Sequence, residues 1–217
     1  MRTLRTAVLL GVLFASASAG AQSYYSGPPP DRAAQIFYGS VTYQLGIPIG
    51  NTYNYISDVE WRGIGVDLGW MVKPTISIGL ALGWNVFYQN LTTTINYLPG
   101  VSKAGFAVYG NQDRSFNFFP ILAAARWVPK LKNDVRPFLG IDIGIYITAQ
   151  QLGIGLYSYS TTQVQFGLAP EVGVIIPINE GLGVQLSTRY NMAFHSGSID
   201  FQQWLGIYAG LAWGEGL

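Results

Sequence analysis

From about Gln35 to Trp213 the chain alternates between an apolar residue and a small or polar one, in eight successive segments. Thr75–Gln89 shows it most plainly: Ile76, Ile78, Leu80, Leu82, Trp84, Val86 and Tyr88 alternate with Thr75, Ser77, Gly79, Ala81, Gly83, Asn85, Phe87 and Gln89. Successive side chains of a strand point to opposite faces, so period two predicts a strand with one apolar side. The same split sets Phe37, Val41, Tyr43 and Leu45 against Tyr38, Ser40, Thr42 and Gln44, and Ile64, Val66, Leu68 and Trp70 against Gly63, Gly65, Asp67 and Gly69. After Pro137 it sets Leu139, Ile141, Ile143, Ile145 and Ile147 against Gly140, Asp142, Gly144, Tyr146 and Thr148. Three more strands follow, over Gln163–Ile176, Leu182–Phe194 and Trp204–Trp213. The fourth, Ser115–Trp127, is less regular; placing Phe119, Ile121, Ala123, Ala125 and Trp127 on one face sends Arg126 to the polar side.

Connections alternate in length. Short ones fall at Val72–Pro74, Pro129–Arg136 and Pro177–Gly181, longer ones at Pro48–Glu60, Asn90–Arg114 and Ala149–Thr162, with a short last one at His195–Asp200. Eight strands joined this way predict an all-β fold, a transmembrane eight-stranded antiparallel up-and-down β-barrel. Short turns would then face the periplasm, together with both termini, in a bacterial outer membrane.

Composition sharpens this. Only 11% of residues are charged, against roughly 25% in a soluble domain, and the chain holds 27 Gly, 14 Tyr, 11 Phe and 6 Trp. Beyond the first twenty residues there is no apolar run of the roughly 18 residues a spanning helix needs. A soluble eight-stranded barrel would turn its apolar side inward and charges outward. Here the polar face holds too few charges for a water-facing exterior, and so many large apolar side chains would overfill so narrow a lumen. The apolar face is therefore expected to meet lipid. A charge placed there, as in Leu80→Arg or Ile143→Arg, should be poorly tolerated, and an inward change such as Gly79→Ser mild.

The N-terminus reads as a secretory signal peptide over residues 1–21: Arg2 and Arg5, an apolar core from Ala7 to Phe14, and small residues from Ala15 to Ala21. Residues 22–34, with Gly27-Pro-Pro-Pro30, lack periodicity and read as a flexible periplasmic lead-in, and 35–217 as the barrel. Two of the twelve basic residues lie in the leader, leaving ten against eleven acidic ones. Such a balance, with no basic stripe, does not suggest nucleic acid. The absence of cysteine excludes a disulfide framework and a lipid-anchored N-terminus.

Aromatic residues fall at strand ends on the outer face. Phe37, Trp70, Trp127 and Trp213 would form a periplasmic girdle, and Tyr88, Tyr190, Phe194 and Phe201 one at the opposite interface. On the inner face, Asp67, Arg126, Asp142, Glu171 and Arg189 all lie toward the periplasmic end. Isolated charges in so narrow an interior are costly, so a paired cluster plugging the lumen is expected, with Arg189 within reach of Glu171 or Asp142. A gate or ion relay through a narrow pore is the sharper alternative.

Val135–Gly144 (VRPFLGIDIG), Ala169–Gly173 (APEVG), Gly183–Asn191 (GVQLSTRYN) and the final strand Gly206–Trp213 (GIYAGLAW) carry a resemblance to the small outer-membrane β-barrel proteins of the OmpA-transmembrane, OmpX and OmpW type. Gly214–Leu217 follow Trp213, where members of that family usually end on an aromatic. The resemblance implies an integral outer-membrane protein with a structural or surface-interaction role, contacting outer-membrane lipids and the assembly machinery. The alternatives are a narrow OmpW-like channel for small solutes and a lipid-modifying enzyme. The last fits poorly. Lipid A deacylases use a His, a Ser two residues later and a Glu facing lipid; here Gly197 stands two residues after His195, and strand parity turns His195 away from lipid. No metal-ligand cluster or phosphate loop is present, so no cofactor, metal or catalytic residue is expected. The loops, rich in Tyr, Asn, Ser, Thr and Gly, suit either an extracellular partner or plain solvation.

Overall fold

The chain closes into a barrel in the order β1-β2-β3-β4-β5-β6-β7-β8, every neighbour antiparallel and β8 pairing back onto β1. The computed structural model describes residues 37–95, 108–129, 135–154, 157–179 and 181–214. The leader, the lead-in and the final three residues lie outside them. The strands are β1 (Phe37–Ile49), β2 (Glu60–Lys73), β3 (Ile76–Ile95), β4 (Val108–Trp127), β5 (Arg136–Ile154), β6 (Tyr157–Asn179), β7 (Leu182–Ala193) and β8 (Gln202–Gly214). One short helix, α1 (Gly50–Tyr55), joins β1 to β2. Among the described residues no helix is long and apolar enough to cross a membrane; the crossing elements are strands.

Parity sorts the side chains as the alternation predicts. Ile64, Trp70, Ile78, Leu139, Ile141, Ile143, Val172, Leu186 and Leu211 are exposed on the outside. Their neighbours Ser40, Asp67, Ser77, Asp142, Glu171 and Gln185 are buried inside. The fourth strand follows the same rule: Phe119, Ile121 and Trp127 face out, while Phe118, Leu122 and Arg126 are buried. An exterior of exposed Ile, Leu, Val and Trp is sensible only in a hydrocarbon solvent.

Strand length departs from expectation. β3 to β6 run to 20, 20, 19 and 23 residues, against 12 to 14 for the other four. Most of what reads as loop at Asn90–Arg114 and Ala149–Thr162 is continued hairpin: Asn90 pairs with Asp113, and Ala149 with Thr162. Period two is hidden there because both faces are polar (Ser158, Ser160 and Thr162 outside, Thr161 and Gln163 inside), so no apolar face announces the strand. The result is a four-stranded wall rising beyond the apolar band, whose outer surface turns polar at Asn90, Thr92, Asn111 and Asp113. Asp113 accepts hydrogen bonds from Tyr88 and Asn90 there, each at 2.7 Å.

A second expectation fails at Gly79. A side chain there would run into the carbonyl oxygen of Leu68 on the neighbouring strand. The obstacle is backbone, so it cannot swing aside, and Gly79→Ser is disruptive rather than mild. In so tight a barrel, inward glycines let strands approach where the wall curves most.

Candidate functional site

The lumen is filled in layers, and the middle of its turn end is ionic. Asp67 (β2), Arg126 (β4), Asp142 (β5), Glu171 (β6) and Arg189 (β7) meet there, none more than 4% exposed. Arg126 Nη2 lies 2.8 Å from Glu171 Oε2 and 3.2 Å from Asp67 Oδ1. Arg189 Nη2 lies 3.2 Å from both Asp67 Oδ1 and Glu171 Oε2, and its Nε lies 3.1 Å from Asp142 Oδ2. Glu171 and Arg189 are also direct cross-strand partners. Two guanidinium groups thus clamp three carboxyl groups, and Arg189 reaches the far wall at Asp67 as well as both nearer acids.

Neutral side chains complete the layer. Ser187 donates to Glu171 Oε1 at 2.8 Å and Gln185 Nε2 to Asp67 Oδ2 at 3.3 Å, beside the charged bond from Arg126 Nε to Glu171 Oε2 at 3.1 Å. Arg126 lies over the ring of Phe138 and Arg189 over that of Tyr208, at 5.2 and 5.0 Å. Satisfaction is incomplete: the Arg189–Asp142 contact is close but misaligned for a hydrogen bond, and neither Asp142 oxygen accepts one among the described residues. Parity places the neutral residues inside and the β6–β7 hairpin sets Ser187 beside Glu171, but only closure of the barrel brings Gln185 to Asp67.

Apolar layers flank the ionic one on both sides. Toward the turn end lie Val128, Phe138, Ile175 and Ala212. Toward the loop end lie Phe87, Phe116, Phe118, Leu122, Tyr146, Trp204 and Ile199, all essentially unexposed. Their rings interlock: Phe118 stacks on Trp204 at 4.3 Å, and Phe87 and Tyr146 meet Trp204 edge-on at 5.9 and 5.5 Å. Gly46 makes room for Phe87, whose ring would lie 2.6 Å from any β-carbon there.

The outer aromatic residues take two levels. Phe37 packs on Trp70 at 5.4 Å at the turn end, where Trp127 and Trp213 are also exposed. At the loop end Tyr88 is exposed, Tyr190 donates to Gln203, and Phe194 stacks between Phe166 and Phe201 at 6.0 and 5.5 Å. Tyr43, Trp84 and Phe119, not singled out from the sequence, also face outward there, Trp84 stacked on Phe119 at 6.0 Å. All three sit inside their strands rather than at the ends that mark a girdle; for Trp84 on β3 and Phe119 on β4 this is because those strands continue past the apolar band. His195 is exposed and lies 3.5 Å from Asp200. Among the described residues no group of three or more His, Cys, Asp or Glu could hold a metal ion.

No protein-family model and no curated protein matches the sequence. Solved structures do match the fold. Neisserial surface protein A is 14% identical with a TM-score of 0.55, over 82% of this chain and 96% of that one. Outer membrane protein OprG from Pseudomonas aeruginosa is 12% identical with a TM-score of 0.54, over 85% and 98%. Ail, the attachment invasion locus protein of Yersinia pestis, is 11% identical with a TM-score of 0.50, over 83% and 98%. The fold is that of the small eight-stranded outer-membrane β-barrels.

Proposed function

We propose that this protein is an integral outer-membrane barrel with a closed lumen, whose role is structural or surface-presenting rather than transporting or enzymatic. The observation that carries the reading is the ionic layer of Asp67, Arg126, Asp142, Glu171 and Arg189, sealed between the aromatic layer above and the Phe138 layer below. Permeation would require a solute to break a desolvated ion cluster and to push through the packed apolar layers on either side of it. The exposed apolar exterior suits direct contact with outer-membrane lipids, and the final strand suits recognition by the assembly machinery. The turn end and both termini would face the periplasm, leaving the tall β3–β6 wall outside the cell to meet an extracellular partner. Single-channel recording of the refolded protein in planar bilayers tests this. The expected trace shows no unitary steps, and a reproducible unitary conductance overturns it.

A second reading, a narrow channel for small solutes, is favoured by the unsatisfied polar atoms of the ionic layer. The oxygens of Asp142 and the Oε1 of Gln185 lack hydrogen-bond donors among the described residues, leaving bonding capacity for water or a passing ion. The same recording, repeated on Arg189→Met, separates the two readings. A closed barrel stays silent, whereas a channel changes its conductance or selectivity.

A further inference from the structure

We propose that the segment from Gly50 to Val59 is a hinged lid that closes the loop end of the lumen, with Ile56 as its stopper. α1 is a turn and a half that holds Thr52, and Ile56 is its C-cap, with its backbone N–H donating to the Thr52 carbonyl at 2.8 Å. Both are completely buried although they belong to a connection between strands. Ile56 joins the aromatic cluster of Phe87, Phe116, Phe118 and Trp204, and so completes its upper surface. Connections ordinarily run over a surface and leave their apolar side chains outside.

The lid is strapped across the mouth at several points. The Thr52 hydroxyl donates to Gln202 Oε1 and accepts from the Gln203 backbone N–H, each at 2.8 Å, which ties it to β8. Tyr55 donates its hydroxyl to the Gln151 carbonyl on β5 and receives Arg114 Nη1 of β4 at its own carbonyl, both at 3.1 Å. Gln89 on β3 bonds the Ser57 N–H and hydroxyl and reaches Asp58. All seven of these hydrogen bonds run through a side chain, and each is worth little net. The helix has no side-chain N-cap. At its root Gly50 holds φ +56°, a conformation glycine adopts freely. A short element outside the strand ladder, tied to the strands only through side chains and anchored by the packing of Ile56 and Tyr55, opens locally at a fraction of the global unfolding free energy.

Beneath the lid lies one further unsatisfied group. The Trp204 Nε1–H is buried and has no acceptor among the described residues, so lid opening, which admits water to that layer, also relieves a buried donor.

The chain has no cysteine, so a single introduced thiol reports access cleanly. Ala193→Cys places one in the aromatic layer and Ser77→Cys one near the turn end, both positions being buried. Each folded full-length protein, in detergent or liposomes, is exposed to a water-soluble maleimide. Thr52→Ala, and separately Ile56→Ser, should raise the labelling rate at position 193 by about five- to ten-fold, the ratio set by weakening one tie in a local opening equilibrium. Labelling at position 77 should stay unchanged. Unchanged labelling at 193 in both variants overturns the lid. An equal rise at 77 and 193 also overturns it, because the barrel as a whole would then have loosened.

Discussion

Two layers fill the same narrow lumen by opposite means. The ionic layer depends on charge: five charged groups from five strands each lie within 3.2 Å of an opposite charge, although Asp142 accepts no aligned hydrogen bond among the described residues. The aromatic layer depends on volume: Phe87, Phe116, Phe118, Tyr146 and Trp204 interlock without a shared hydrogen-bond pattern. The first should fail abruptly when one member is lost, because the remaining charges stay buried. The second should fail in proportion to the volume removed, because apolar neighbours relax into some of the gap. The two layers therefore give the barrel different tolerances at its two ends.

The largest expected effect lies in the ionic layer. Arg189→Ala removes contacts to Asp67, Asp142 and Glu171 together and leaves three carboxyl groups facing Arg126 alone. It should destabilise the folded barrel by about 3–5 kcal/mol, the range for breaking a buried ion pair from one side. Replacing Arg189 and Glu171 together with Met should cost clearly less than Arg189→Ala, since cation and anion leave as a pair. Urea titration in detergent, followed by the faster gel migration of the unboiled compact form, gives both values. A double variant as unstable as the single one would mean that packing, not charge, dominates this layer.

A smaller effect is expected from the aromatic layer. Phe118→Leu trims a ring fully buried between Phe116, Phe87 and Trp204. It should cost about 1–1.5 kcal/mol, as near volume-conserving apolar changes do. The same titration applies. A loss as large as that of Arg189→Ala would erase the distinction between the layers.

The sequence shows the two layers unequally. Where the alternation shows, period two agrees with the inner face of each strand, so the five charges of the ionic layer can be placed inside from it. Height along the strand, counted from the turns, brings Glu171, Asp142 and Arg189 together. What alternation cannot supply is contact across the lumen. Asp67 meets Arg126 and Arg189 only because strands two, four and seven curve toward a common centre. The aromatic layer is harder still to read. Phe87, Tyr146 and Trp204 each interrupt a small or polar face in their own strand, and only the closed barrel turns those interruptions into one cluster. The lid has a faint signal in the spacing of Thr52 and Ile56, but one helical turn is too short for periodicity to register. The tall wall has none, since its strands show no apolar side.

The smallest expected effect concerns pH, where the lid caps the aromatic layer. Partial burial pushes the Tyr55 phenol above its ordinary pKa; the Gln150 side chain and the Arg114 guanidinium pull the other way without cancelling it. The neutral phenol is also the form that donates to the Gln151 carbonyl, which cannot accept from a phenolate. Below the pKa of a free tyrosine the group is protonated with the lid open or closed, so its contribution to closure is complete. Above that value the open state ionises first, and closure weakens steadily until the pH passes the raised pKa of the closed state. Arg114 lies 5.1 Å from the centre of the Tyr55 ring, Phe116 packs against that ring at 4.9 Å, and the Gln151 carbonyl accepts from its hydroxyl. Labelling of Ala193→Cys should accelerate with alkaline pH relative to the same protein carrying Tyr55→Phe, the ratio cancelling the reagent's own pH dependence. A ratio constant from neutral to strongly alkaline pH would show that Tyr55 stays covered when the upper layer admits the reagent, and that the lid opens by another edge.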